Sequence, residues 1–286
     1  MDLCNINEIK ALLARHGFRF SKSMGQNFLI QSWVPQDIAA ASGAGEGTGV
    51  LEVGPGIGPL TRELAKRADK VASVELDRSL LPVLSESLAG RDNVKIIPGD
   101  VMKLDLAALA AEQFPGMAVK ACANLPYNIT TPVITKLLEA GCFQSITVMI
   151  QREVARRICA EPDSADRGAF SLFCQYHAQC ELLFDVGPEC FLPAPKVTSS
   201  VIRLIPRSQP PVDADPEALF RLVKAAFAQR RKTLRNALGS GLGEYGRLSK
   251  DELRQAISDC GLSETVRGER LSLDEFSNLA NILQAR

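Results

Sequence analysis

The chain has 286 residues, 46% of them hydrophobic, which is enough to bury a sizeable core and to build one large domain beside a smaller one. Thirty-three cations balance thirty-three anions, so a global basic field is excluded and attraction to a polyanion must come from local clusters. No apolar run approaches the roughly twenty residues of a membrane span. The opening "MDLCNINEIK" offers neither a signal core nor a cleavage site, so a cytoplasmic protein is expected. Eight cysteines lie scattered without a Cys-x-x-Cys pair, and the two histidines, His16 and His177, are far apart. Core thiols in a reducing compartment are expected, and no metal site.

In chain order, "NINEIKALLARHG" spaces Ile6, Ile9, Leu12 and Leu13 for a helix that Asn5 caps and Gly17 stops. From Lys10 to Pro35 stand Lys10, Arg15, Arg19 and Lys22 with no acid, a face for solvent or for phosphate. Residues 48–150 then repeat one theme, with strands at 49–54, 70–75, 93–100, 119–124 and 145–150 alternating with helices near 59–67, 79–89, 105–113 and 131–140. Strands apolar on both faces, separated by helices, predict a parallel sheet covered on both sides with right-handed crossovers. "REVARRICAE" and "AFSLFCQYHAQ" have helical spacing, and "CELLFDV" and "SSVIRLI" bring the expected sheet to seven strands.

The proline-rich "PRSQPPVDADPE" (206–217) is the best boundary, dividing a domain of residues 1–205 from one of 206–286. Beyond it only helices and turns are expected. "EALFRLVKAAFAQRRKTLRNAL" reads as one helix with apolar positions at 219, 222, 223, 226, 227, 234 and 238, and "SKDELRQAI" opens with a capping pattern. The fold class is α/β, with a smaller all-helical C-terminal domain.

"LEVGPGIGPL" sets Gly54, Gly56 and Gly58 directly after a strand and before a helix, where backbone can approach a ligand without side-chain collision. A dinucleotide fingerprint wants Gly-x-Gly-x-x-Gly. The spacing here is Gly-x-Gly-x-Gly, with Glu52 two residues ahead, which favours S-adenosylmethionine over NAD because an acid repels a pyrophosphate but can face an ammonium group. Glu75 ends the second strand, placed to accept both ribose hydroxyls. Asp100 ends the third, placed for the adenine amino group, with Leu76 and Val101 as apolar walls.

The fourth strand stops on Asn124, Leu125, Pro126 and Tyr127. The lone pair of an aromatic amine is delocalised and must be localised before it can attack a methyl group. The Asn124 amide oxygen and the Leu125 carbonyl can each accept one amine N–H, Pro126 fixes the turn, and Tyr127 offers a stacking face. No strong base is needed, since the proton can leave late to solvent. Stacking together with edge contacts implies a flipped-out or single-stranded base. As a bare turn the same four residues would only terminate a strand.

"SMGQNFL", "LEVGPGIGPLT", "VELD", "GDV", "NLPYNITTP", "FLPAPKVTSSV" and "AFAQRRKTLRN" together resemble the ribosomal RNA adenine dimethyltransferase family, in its bacterial small-subunit branch, over almost the whole chain. The resemblance implies a Rossmann-like seven-stranded sheet of the class I S-adenosylmethionine-dependent methyltransferases. It implies four methyl transfers, two to each of two adjacent adenines in a hairpin loop near the 3′ end of 16S RNA, with S-adenosylhomocysteine as the spent cofactor and an assembling small subunit as partner. A monomer is expected. It also implies that Gln26, Asn27 and Leu29 touch the cofactor beside Gly54, Gly56, Glu75, Asp100 and Asn124, and that Phe191 stacks on the base opposite Tyr127. One departure is Arg167 in "PDSADRGAF", where relatives commonly carry tyrosine.

"AQRRKTLRN" concentrates Arg230, Arg231, Lys232 and Arg235, natural partners for phosphates, and Arg152, Arg156 and Arg157 could extend such a path. Two other readings stay open: a large-subunit dimethylase with a similar pocket, and a non-catalytic assembly factor that keeps the fold.

Overall fold

Each of the five apolar runs between 48 and 151 forms a strand in the computed structural model, which describes all residues except 21–24, 241–244, 246–247 and 286. Lys22 of the basic stretch and Ser23 and Met24 of "SMGQNFL" lie outside the described residues. A short strand β1 (Phe28–Leu29) precedes β2 (Thr48–Val53), β3 (Lys70–Glu75), β4 (Val94–Pro98), β5 (Ala118–Asn124) and β6 (Ser145–Gln151). After these come β7 (Ala178–Val186), β8 (Phe191–Leu192) and β9 (Ser199–Pro206).

The main sheet has seven strands in the order β4-β3-β2-β5-β6-β9-β7. β2 to β6 pair in parallel, as the alternation requires, while β9 returns antiparallel against β6. A second sheet was not foreseen. β1 and β8 pair antiparallel, Phe28 with Leu192 and Leu29 with Phe191, in strands too short to show a period.

The helices are α1 (Ile6–Arg15), α2 (Trp33–Ala41), α3 (Pro59–Ala65), α4 (Leu81–Ser87), α5 (Leu106–Gln113), α6 (Thr130–Glu139), α7 (Arg152–Ile158) and α8 (Ala169–His177). Then follow α9 (Pro216–Ala228), α10 (Leu234–Leu238), α11 (Lys250–Asp259) and α12 (Leu273–Gln284). None of the described helices is long and apolar enough to cross a membrane. Asn5 caps α1 through the amides of Asn7 and Glu8, and Ile9, Leu12 and Leu13 are buried, whereas Ile6, first in the helix, is exposed. Every residue of β2 is buried, so both of its faces are covered.

The chain divides into two compact units, one of Met1–Ala155 with Cys180–Pro206, the other of Arg156–Gln179 with Arg207–Arg286. Segment 156–179 thus joins the C-terminal helices, which a single cut near residue 205 does not convey. The cause is packing: Leu172 and Tyr176 of α8 share a core with Leu219, Leu222, Leu253 and Phe276. In this unit Ser249 caps α11 and Ser272 caps α12, each in a reciprocal pair with a glutamate three residues on.

The long helix expected through "AQRRKTLRN" is two helices. α9 ends at Ala228, residues 229–233 turn, and the Thr233 side chain accepts from the Asn236 amide to start α10. Arg230, Arg231 and Lys232 therefore stand in a turn, and only Arg235 is helical.

β2 carries one acid, Glu52, in register with Ser73 and Cys122 and only 1% exposed. Its Oε2 accepts from the hydroxyls of Ser73 and Thr61, each at 2.6 Å, while Oε1 has no partner among the described residues. Burial outweighs both hydroxyls and pushes the carboxyl up to about 7. The folded state therefore holds a proton that the unfolded chain releases near pH 4.5. Stability is fullest below that value and is lost as pH rises toward 7, by on the order of 3 kcal/mol. Glu52→Gln is expected to remove this part of the pH dependence. Urea midpoints compared between about pH 5 and about pH 8 check it, and equal losses in both proteins would contradict it.

Candidate active site

From β2 the sheet runs one way through β3 and β4 and the other way through β5 and β6. At such a switch point the connections depart to opposite sides and leave a crevice beyond the strand ends. A cavity of about 210 Å³ lies there, lined by residues of the first unit from the glycine loop, the ends of β3 and β5, the Gly99–Val101 turn, the segment Gly25–Leu29, and Phe191. That is room for a small molecule and not merely for a few waters. The residues expected from the sequence at a cofactor or a target base line this one cavity, except Gly58 of the glycine loop, which lies outside its lining.

The loop after β2 holds Gly54, Gly56 and Gly58 at φ of 69°, 60° and 94°, in the left-handed region where a side chain is strained. At Gly56 a Cβ would also lie 3.2 Å from the Phe28 ring. The loop thus brings bare backbone to the cavity at Gly54 and Gly56, with Pro55 and Ile57 beside them.

Glu75 is 6% exposed, and burial raises its carboxyl despite backbone donors that include the Asp77 amide, 2.7 Å from Oε1. Asp77 is tied in turn. Its Oδ1 accepts from the Ser79 amide and hydroxyl, and its Oδ2 accepts from Gln26 Nε2 at 2.6 Å. Burial works against that charge, but the bonds from Ser79 and Gln26 hold the carboxyl below its ordinary value. Asp100 Oδ1 accepts from the Met102 amide at 2.9 Å, and Oδ2 lies 4.0 Å from Lys103 Nζ. Val101 is buried at the cavity wall and Leu76 is half-exposed at its rim.

Asn124 ends β5 opposite Met149, and the Leu125 amide donates to the Met149 carbonyl at 3.1 Å. The Asn124 Nδ2 donates to the Asn27 carbonyl at 3.4 Å, which turns the amide nitrogen toward the N-terminal segment. Pro126 presents its carbonyl to the Ile129 amide and the Thr130 hydroxyl, so the turn also starts α6. The Tyr127 hydroxyl lies 2.8 Å from Ser199 Oγ. Gly25 passes over this turn, where a Cβ would meet Asn128 at 3.3 Å and Pro126 at 3.4 Å. Phe191 and its partner Leu29 are 3% and 2% exposed and pack with Val34, Ile38 and Val201, so each serves the core as well as the cavity.

The basic residues belong to the second unit and differ among themselves. Arg231 and Lys232 are exposed. One Arg230 nitrogen, Nη2, donates to the Ala165 and Arg167 carbonyls, each at 2.8 Å, and Nε lies 3.9 Å from Glu269. The Arg235 Nη1 lies 3.7 Å from Glu264, and its Nε is buried without a partner among the described residues. Arg167 itself is 2% exposed, with Nη1 donating to the Ala160 carbonyl at 3.4 Å. In the first unit, Arg152 lies 3.7 Å from Asp185.

Two contributors gave no separate signal. Asp77 stands in the quoted "VELD" but acts through Gln26, and Ser199 read only as a strand residue.

Residues 17–285 match the profile described as ribosomal RNA adenine dimethylase. The chain is 45% identical to a Geobacillus thermodenitrificans protein named ribosomal RNA small subunit methyltransferase A, over 99% of this chain and 97% of that one. It is 46% identical to the protein of that name from Alkaliphilus oremlandii, over 96% and 95%. Among solved structures, the 23S rRNA methyltransferase ErmE superposes with a TM-score of 0.68 at 25% identity, covering 90% of this chain and all of that one (100%). A dimethyladenosine transferase from Plasmodium falciparum shares the fold, with a TM-score of 0.70 at 22% identity over 88% and 95%. With its strand ends gathered at one cavity and its length matched almost throughout, the chain belongs to the ribosomal RNA adenine dimethylase family.

Proposed function

We propose that this enzyme transfers methyl groups from S-adenosylmethionine to the exocyclic amines of two adjacent adenines, two to each, in a hairpin loop near the 3′ end of 16S RNA, in an assembling small subunit. One observation carries the chemistry: the glycine loop, the acids at the strand ends and Asn124–Tyr127 line a single cavity. The small-subunit target rests on the relatives that match nearly end to end. The 23S enzyme shares the fold at lower identity.

The residues present fit the cofactor. Bare backbone at Gly54 and Gly56 leaves space for a methionine portion, and the unpartnered Glu52 Oε1 suits an ammonium group. Glu75 suits ribose hydroxyls, and Asp100 between Leu76 and Val101 suits an adenine edge and its faces. When bound, the cofactor supplies an electrophilic methyl group on sulfur.

The protein's share is to hold the amine. With the Asn124 nitrogen committed to the Asn27 carbonyl, the amide oxygen is left to accept an amine N–H. The Leu125 carbonyl would take the second N–H, drawing the nitrogen toward a pyramidal geometry with its lone pair free. Tyr127 and Phe191 would stack on the base and exclude water. The proton displaced from nitrogen leaves to solvent. In the second unit Arg231 and Lys232 would meet phosphates, while Arg230 secures the 165–167 loop.

Asn124→Ala is expected to lower the single-turnover rate by roughly 100-fold, the scale of losing one preorganised transition-state partner, with a smaller loss of cofactor affinity. Near-normal turnover on small-subunit RNA would refute this. Glu75→Ala should weaken cofactor binding about 10-fold by calorimetry and leave RNA binding intact, because a charged hydrogen bond contributes about 1.5–3 kcal/mol. Replacing Arg231 and Lys232 by alanine should reduce the salt slope of RNA binding by about 1.4. Arg230→Ala should leave that slope unchanged and lower the thermal midpoint. Filter binding across a salt series, with melting curves, separates the two effects.

A further inference from the structure

Tyr127 is held at both ends. Its backbone follows the Asn124–Pro126 turn, and its hydroxyl lies 2.8 Å from the Oγ of Ser199, the fully buried first residue of β9. Burial, outweighing the serine bond, raises the phenol above its ordinary value, so the hydroxyl stays protonated at neutral pH.

The serine is a fixed point. It stands opposite Gln151 in the β6–β9 ladder, and on one side of it the Arg152 amide donates to the Thr198 carbonyl at 3.0 Å. On the other side the Ser200 hydroxyl donates to Asp185 at 2.5 Å. Asn124 is braced on the same β6, opposite Met149. The amide that would hold the amine and the ring that would hold the base are therefore referred to one strand. Phenylalanine would give the same stacking face, but only a hydroxyl can tether the far end of the ring.

We propose that Ser199 is a positioning residue for the second methyl transfer to each adenine, acting through the Tyr127 hydroxyl. This rests on the adenine-dimethylation reading above. In each transfer a nitrogen–carbon bond forms as the sulfur–carbon bond breaks, the electron pair returns to sulfur, and one amine proton leaves to water. An unmodified adenine amine has two N–H groups, one for each acceptor at the end of β5. After one transfer a single N–H remains, so hydrogen bonds no longer fix the nitrogen alone, and its line of attack depends more on how firmly the ring is stacked. An anchored tyrosine supplies that firmness when it is most needed.

The test compares Ser199→Ala, Tyr127→Phe, their combination and Ser199→Thr with the wild type on unmethylated small-subunit particles. N6-methyladenine and N6,N6-dimethyladenine are quantified by mass spectrometry of nuclease digests over time. In Ser199→Ala and Tyr127→Phe the second transfer should slow about 10-fold relative to the first, and in Ser199→Ala the first transfer and the KM for cofactor should change less than about 2-fold, so the monomethylated base accumulates. The double variant should be no slower than either single variant, because both remove one bond, and Ser199→Thr, which keeps a hydroxyl, should restore the product ratio. A wild-type ratio in Ser199→Ala, equal slowing of both transfers, or additive losses in the double variant would overturn the proposal. Failure of the wild type to modify any adenine would instead overturn the underlying function, and the role of Ser199 with it.

Discussion

Parallel pairing of β2 on both of its edges is the constraint on which the rest depends. A strand buried on both faces cannot leave its backbone groups to water, so its two neighbours are obligatory. The register then does the placing. Val53 pairs with Val74, so Glu75 follows at the next position, and Glu52 pairs with Cys122, two residues before Asn124. A slip of one residue in either ladder would turn an acid or an amide to the wrong face. The glycine loop, the carboxylate and the amide meet because three strands end together, not because they are near in sequence.

The polar groups around the cavity are held by other groups of the protein itself. Glu75 is fastened by the Asp77 amide, Asp77 by Ser79 and Gln26, and Asn124 by the Asn27 carbonyl. Two of these fastenings come from the Gly25–Leu29 segment, which β1 ties to β8 and so to Phe191. The N-terminal segment is thus a wall of the site whose own position is set by the other end of the first unit. Groups oriented in advance need not reorganise during the reaction, the condition under which hydrogen bonds in a poorly solvated site count most.

The five parallel strands were legible because each is a short apolar run closed by turn residues, and the strand-end acids because a charge after such a run has few structural reasons to be there. Other features were hidden for identifiable causes. β1 and β8 have two residues each, too few for a period. The break between α9 and α10 was masked because Phe227 and Leu234, seven apart, continue a helical spacing that Thr233 interrupts by capping a new helix. Gln26 and Phe191 could be placed only through family resemblance, since nothing in their spacing points to a cavity 25 or more residues away along the chain. Asp77 and Ser199 act on other side chains, and such partners are set by tertiary structure.

The second unit is assembled from two stretches, with the final strands of the first unit lying between them in sequence. During synthesis α8 leaves the ribosome roughly a hundred residues before α12, which completes the core they share, is finished. Until then Leu172 and Tyr176 lack the Phe276 and Leu279 side of their shared core. The nascent protein thus carries an incompletely covered helical face through roughly the last third of its elongation, and ending translation at the proline-rich segment would leave that face bare. What looks like a dispensable tail is the cover for a helix made long before it.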